Sequence, residues 1–161
     1  MGEYNVISEK RRKRSAKMNI YPLIEKLLNK KPHLIDIFPR RVPQKSDDRY
    51  FAAEKYFQQN RADLDRKLTN IILKLYCYYD MTAVTADNSV KDPDVSEFVT
   101  LLYSCFSGGV GYVNILLPEH EILLTLNSDD LYMSVYNAQG EAAELISQLV
   151  SAEGLFFREA E

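Results

Sequence analysis

The chain has 161 residues, a net charge of −3, 46% apolar and 27% charged residues, and no Trp. Those values describe one soluble globular domain and exclude a collagen-like, wholly disordered, coiled-coil or membrane-bundle chain. The charge is uneven, +7 over residues 1–49 and −10 over residues 50–161, a dipole able to steer a charged partner.

Residues 1–17 read as a basic flexible arm ahead of a single α+β domain, 18–161. The arm holds Lys10, Arg11, Arg12, Lys13 and Arg14. No apolar segment follows this cluster, as a secretory leader requires. Met1-Gly2 precedes Val6 where an N-myristoylation motif needs Ser or Thr. No apolar run approaches the roughly 18 residues of a membrane-spanning helix. The two cysteines, Cys77 and Cys105, lie in apolar stretches and read as buried free thiols, which fits a reducing, cytoplasmic compartment.

Asn19 caps a short amphipathic helix with Leu23, Ile24, Leu27 and Leu28 on one stripe, and Pro32 follows its end. Residues 33–38, between two prolines, fit a strand or one helical turn. Residues 39–46 form a basic loop with Arg40, Arg41 and Lys45. Ser46-Asp47-Asp48 starts a helix to about Gln58 that presents Tyr50, Phe51, Ala53, Tyr56 and Phe57. Asn60 caps the next helix, whose stripe is Leu64, Leu68, Ile71, Ile72, Leu75, Tyr76 and Tyr79. Asp63 and Lys67 form an i, i+4 pair on its wet face. Residues 81–91 read as a polar loop. Asp92 as cap and Pro93 at the first turn open a helix that Ser107-Gly108-Gly109 stops.

Three apolar runs follow, 111–117, 122–126 and 131–136, separated by the polar linkers 118–121 and 127–130. Folded as two hairpins they make an antiparallel three-stranded meander. Leu117 then faces Ile122, Ile115 faces Leu124 and Val113 faces Leu126; Leu126 faces Leu131, Leu124 faces Met133 and Ile122 faces Val135. All nine residues fall on one dry face, and a one-residue slip would destroy the segregation. Asn137 caps a last helix with Ala142, Leu145, Ile146, Leu149 and Val150 inward, and residues 155–158 read as a possible fourth strand reached by a crossover.

Catalytic signatures are sparse. The two histidines, His33 and His120, are far apart in sequence, and no nucleophile elbow or zinc spacing accompanies them. Asp87, Asp92, Asp94 and Glu97 miss the calcium-loop order and read as helix-start carboxylates. Ser107-Gly108-Gly109-Val110-Gly111 follows a helix and precedes a strand, the reverse of a phosphate loop. No metal or cofactor is expected.

The semi-polar face of the meander is the surface of interest. The candidate binding residues are Tyr112, Leu116, Leu123, Tyr132 and Tyr136, rimmed by Glu119, Glu121, Asp129 and Asp130. The first expectation is therefore a non-catalytic cytoplasmic protein-interaction module: an adaptor, an inhibitor or a subunit of an oligomer. The alternative is a nucleic-acid-binding protein using the basic arm. A third reading is an enzyme with a site near His120.

Overall fold

A computed structural model describes residues 19–161, which form five α-helices and a seven-stranded antiparallel sheet. The helices are α1 (Ile20–Leu28), α2 (Asp47–Gln59), α3 (Ala62–Tyr76), α4 (Val95–Phe106) and α5 (Gly140–Ala152). The strands are β1 (His33–Asp36), β2 (Thr82–Val84), β3 (Ser89–Lys91), β4 (Tyr112–Leu117), β5 (Ile122–Asn127), β6 (Met133–Tyr136) and β7 (Phe156–Glu159). Their order is β3-β2-β4-β5-β6-β1-β7. The α+β class stands. The sheet, however, is not a three-stranded meander: four further strands flank β4-β5-β6.

Two of the added strands come from residues 81–91, expected as a loop. β2 and β3 have three residues each, too few to show a periodicity, and pair as a hairpin with Ala83 opposite Val90. The ambiguous segment at 33–38 supplies β1, which inserts between β6 and β7. Both neighbours run antiparallel to β1, so β6 and β7 are parallel to each other, joined through α5 with β1 between them.

The β4–β5 register is Leu117 with Ile122, Ile115 with Leu124 and Val113 with Leu126. The β5–β6 register differs by two residues from expectation, because Leu124 faces Val135 rather than Met133. Here Leu131 and Tyr132 belong to the turn. Side chains from the α2–α3 junction hold that turn open: Gln58 Nε2 donates to the Asp129 carbonyl (2.6 Å), and Arg61 donates to the carbonyls of Ser128 and Asp130 (3.3 Å each). A shift of two keeps every side chain on its side of the sheet. All nine apolar residues accordingly lie in the main core.

Three helices close that core: α3 with Leu68, Ile71, Ile72 and Leu75, α4 with Phe98, Leu102 and Cys105, and α5 with Ala142, Ile146 and Val150. Each fully buried Leu or Ile contributes about 2 kcal/mol of transfer free energy. A second, smaller cluster occupies the opposite face. There α1 lays Ile24 and Leu27 on Val84, Leu116 and Leu123.

Several expected caps serve other purposes. Asn19 does cap α1, accepting from the Tyr21 N–H at 3.3 Å. Ser46 precedes α2 but makes no side-chain cap bond. Asn60 ends α2 instead of starting α3, donating to the Tyr56 carbonyl at 3.0 Å. Asp92 takes a left-handed φ of 44° and accepts from the Met81 N–H, so α4 starts behind Asp94. Asn137, at φ 66°, donates to the Glu121 carbonyl, and Gln139 precedes α5. The two left-handed sites, at Asp92 and Asn137, use the tolerance of Asp and Asn for that region, which in sequence resembles a cap. Cys105 is buried as expected, whereas Cys77 is exposed. The Asp63–Lys67 pair is present at 3.2 Å, with Arg66 sharing the carboxylate. Among the described residues no helix is long and apolar enough to cross a membrane.

Candidate functional site

The second face of the sheet carries the alternate side chains of each strand. Near the β4–β5 hairpin it is closed by α1. Leu116 and Leu123 are fully buried there, and the Tyr136 ring packs against the same cluster. Leu116 and Leu123 are therefore covered, and no partner reaches these two leucines while α1 is docked; Tyr136 stays half-buried at the edge of the cluster. Tyr112 lies half-buried at the other end of the sheet, opposite Asn127. The expected acidic rim is divided too. Glu119 and Glu121 flank the β4–β5 turn, while Asp129 and Asp130 lie in the β5–β6 turn at the opposite end of β5.

Tyr132 lies elsewhere, in an open cleft of about 420 Å³ between β1, β7, the 37–46 loop and the start of α2. The aromatic lining is Phe38, Tyr50, Phe51 and Tyr132. Tyr50 contacts both Phe38, with centroids 6.1 Å apart, and Phe51, edge-on at 5.8 Å. An ion pair also lines the cleft: Arg158 Nη2 donates to Asp36 Oδ2 at 2.7 Å, and Arg158 Nε donates to the Phe38 carbonyl at 3.3 Å. Asp36 is buried, and a buried carboxylate needs such a partner. The bond to Phe38 also ties β7 to the 37–46 loop. Arg40, Arg41 and Asp47 complete the charged lining.

The electrostatics of the phenols follow from burial. Burial pushes the Tyr50 hydroxyl up to about 12, helped by Glu54 beside it. The Tyr132 hydroxyl is raised as well, first by burial and then by the Asp130 and Asp36 carboxylates. Asp130 is itself raised, mainly by burial, although Asn127 donates to it at 3.2 Å. Neutral phenols at physiological pH present hydroxyl donors on an apolar ring, the chemistry of a recognition surface.

α2, beside the cleft, buries none of its residues. Phe51 is 60% exposed, Tyr56 61% and Phe57 37%. The sequence marks these aromatics as presented by a helix and residues 39–46 as a basic loop. It does not reveal that Phe51 and this loop border one cleft with Tyr132 and Arg158, because β1 and β7 are more than a hundred residues apart, nor that Tyr56 and Phe57 line a separate hollow with Ile37 and Leu155. Asp36, a lone carboxylate in the apolar run His33–Phe38, was the available signal for a buried charge.

The remaining candidates are not brought into one constellation. The His33 ring stacks on Phe157 at 4.9 Å, and the His120 ring meets Tyr79 edge-on at 4.4 Å. His120 borders a shallow hollow with Asn137, Gln139 and Glu141. Among the described residues no three His, Cys, Asp or Glu side chains gather as a metal ion requires. Lys10, Arg11, Arg12, Lys13 and Arg14, the alternative nucleic-acid contact, lie outside the described residues. Comparison with protein-family models, with curated proteins and with solved structures gives no match.

Proposed function

We propose that the chain is a non-catalytic protein-interaction module, an adaptor, inhibitor or oligomer subunit, whose recognition surface is the Tyr132 cleft and the exposed aromatics of α2. The observation that carries this reading is the exposure of Phe51 in the lining of an open aromatic cleft, with Tyr56 exposed on the same helix beside a second hollow that holds Ile37, Phe57 and Leu155. Large apolar groups grouped on a surface mark interaction sites, and aromatic residues dominate the contact energy of interfaces. This surface replaces the expected sheet face, of which Tyr132 alone lines the cleft. Two free cysteines support a reducing, cytoplasmic setting.

The test is affinity capture from an extract of the native cell, paired with a solution mass measurement and followed by titration of the purified partner. The double variant Phe51→Ser/Tyr56→Ser is compared with the wild type and with Val95→Ser, which alters an exposed residue of α4. The expected outcome is one partner, or a second copy of the chain, bound by wild type and control and weakened at least about tenfold in the double variant. Equal binding by all three proteins refutes the assignment. All three positions are exposed, so circular dichroism should show an unchanged fold.

A further inference from the structure

We infer that the outer edge of β3 and the groove beside it receive the chain's own N-terminal segment, residues 1–18, held there through its basic run Lys10–Arg14. Among the described residues β3 has no strand on its far side, so that edge presents backbone N–H and C=O groups. Val90 lies opposite Ala83, a core residue, and therefore points to the helical side of the sheet. There α4 flanks the strand across a groove of about 470 Å³ lined by Val90, Pro93, Thr100 and Leu101. A groove between an outer strand and a helix is a recurring seat for a peptide segment, and Tyr4, Val6 and Ile7 carry apolar side chains for it.

Charge and chain position select the occupant. Residues 80–97, which build β2, β3 and the start of α4, hold Asp80, Asp87, Asp92, Asp94 and Glu97 against Lys91 alone, a net of −4. The rest of α4 is uncharged, and Glu25 and Lys26 of α1 cancel. The Tyr76 hydroxyl, raised first by burial, is raised further by Asp92, Asp80 and Asp94, so these three carboxylates converge in space. Residues 1–18 hold six Lys or Arg against Glu3 and Glu9, a side-chain net of +4. Helix α1 ends beside β6, where Lys30 Nζ donates to Asn137 Oδ1 at 3.0 Å, and its cluster extends across β5 and β4 to Val84 of β2. Its nine residues span about 13 Å, close to the three strand spacings from β6 to β2. The chain therefore enters α1 on the β2 side of the sheet, one strand from the β3 edge. The five residues from Arg14 to Asn19 bridge about 17 Å, enough to set the basic run over β3. The tether makes the contact intramolecular, at an effective concentration on the order of millimolar.

The test uses the full chain with Cys77→Ser and Ser15→Cys and a nitroxide on the new thiol, Cys105 being buried. In ¹H–¹⁵N spectra the label should broaden the amides of β3 and of the first turns of α4 and leave β7, the opposite edge, sharp. Asp87→Lys/Glu97→Lys, at two exposed positions, brings residues 80–97 to a net charge of zero and should cut that broadening at least about threefold. Salt at about 0.5 M should do the same without any substitution. Broadening that survives both the charge reversal and the salt is the mark of the tether alone and overturns the inference. Equal broadening of β7, or none at β3, overturns it as well. A mixture of ¹⁵N chain without the nitroxide and unlabelled chain with it should stay sharp; broadening there gives the groove to a second copy and ends the intramolecular assignment. The Tyr132 cleft lies at the other edge of the sheet, so none of these outcomes bears on the interaction module.

Discussion

On one face of the sheet three helices bury ten strand side chains in a continuous apolar core; on the other, the nine-residue α1 covers a small cluster and leaves an ion-paired cleft beside it. The first face is non-directional packing and tolerates no gap. The second mixes a thin apolar patch with Asp36, Arg158 and phenols, groups that can exchange internal partners for external ones. The close-packed core and the proposed recognition cleft thus lie on opposite sides of the same strands. Leu123 and Leu124, neighbours in β5, belong to different sides.

That contrast can be broken most forcefully at Leu124. Leu124→Ala opens a cavity beneath three helices and should cost about 4 kcal/mol, seen as a lower denaturant midpoint. A loss below about 1 kcal/mol would mean that the main face is not close-packed. Next comes Arg158→Leu, which strands the buried Asp36 carboxylate and should cost about 3 kcal/mol by the same measurement. Leu27→Ala should cost about 2 kcal/mol, near the lower limit for a buried leucine, because α1 can shift on its patch. Native-state hydrogen exchange should then show the α1 amides opening while β4 and β5 stay protected. Simultaneous opening of both would erase the distinction between the faces.

The smallest effect is nil at neutral pH and appears only in alkali. Tyr50, on the cleft side, and Tyr76, which donates to the Pro93 carbonyl at 2.8 Å and packs edge-on against Phe98, are both pushed up to about 12. In the unfolded chain both ionise near the ordinary tyrosine value of about 10. Between those values the unfolded state binds fewer protons than the folded state, so stability falls as pH rises from 10 toward 12. Phenolate absorbance should show Tyr50 and Tyr76 titrating late, in addition to the raised Tyr132, and Tyr76→Phe or Tyr50→Phe should each remove one late-titrating group and flatten the alkaline decline.

The central sheet was legible because β4 and β5 have six residues each, long enough for a period of two to impose a register. The stripe of α3 was legible for the same reason. β2 and β3 were not, since three residues carry no period. The β5–β6 register is not legible in the linker, because the turn that takes in Leu131 and Tyr132 is bonded by Arg61 and Gln58 from another part of the chain. From the sequence Leu116 and Leu123 read as surface, because their strand position is identical to that of a solvated face. Only the docking of α1 distinguishes the two cases. The ingredients of the cleft were visible singly, as an aromatic helix, a basic loop and Tyr132, but their meeting depends on β1 crossing to the far side of β6.

That insertion of β1 also orders events during assembly. His33 finds its partners at Val135 and Glu159, so β1 cannot complete its pairing until more than a hundred further residues have been made. Until then β6 has an unpaired flank and β7 has no neighbour in the sheet. The β1–β7 ladder, which carries the Asp36–Arg158 floor, spans the longest loop of any pairing in the sheet and carries the highest closure entropy. The floor of the cleft thus depends on the most distant contacts in the chain, and the β4–β5 hairpin on the nearest.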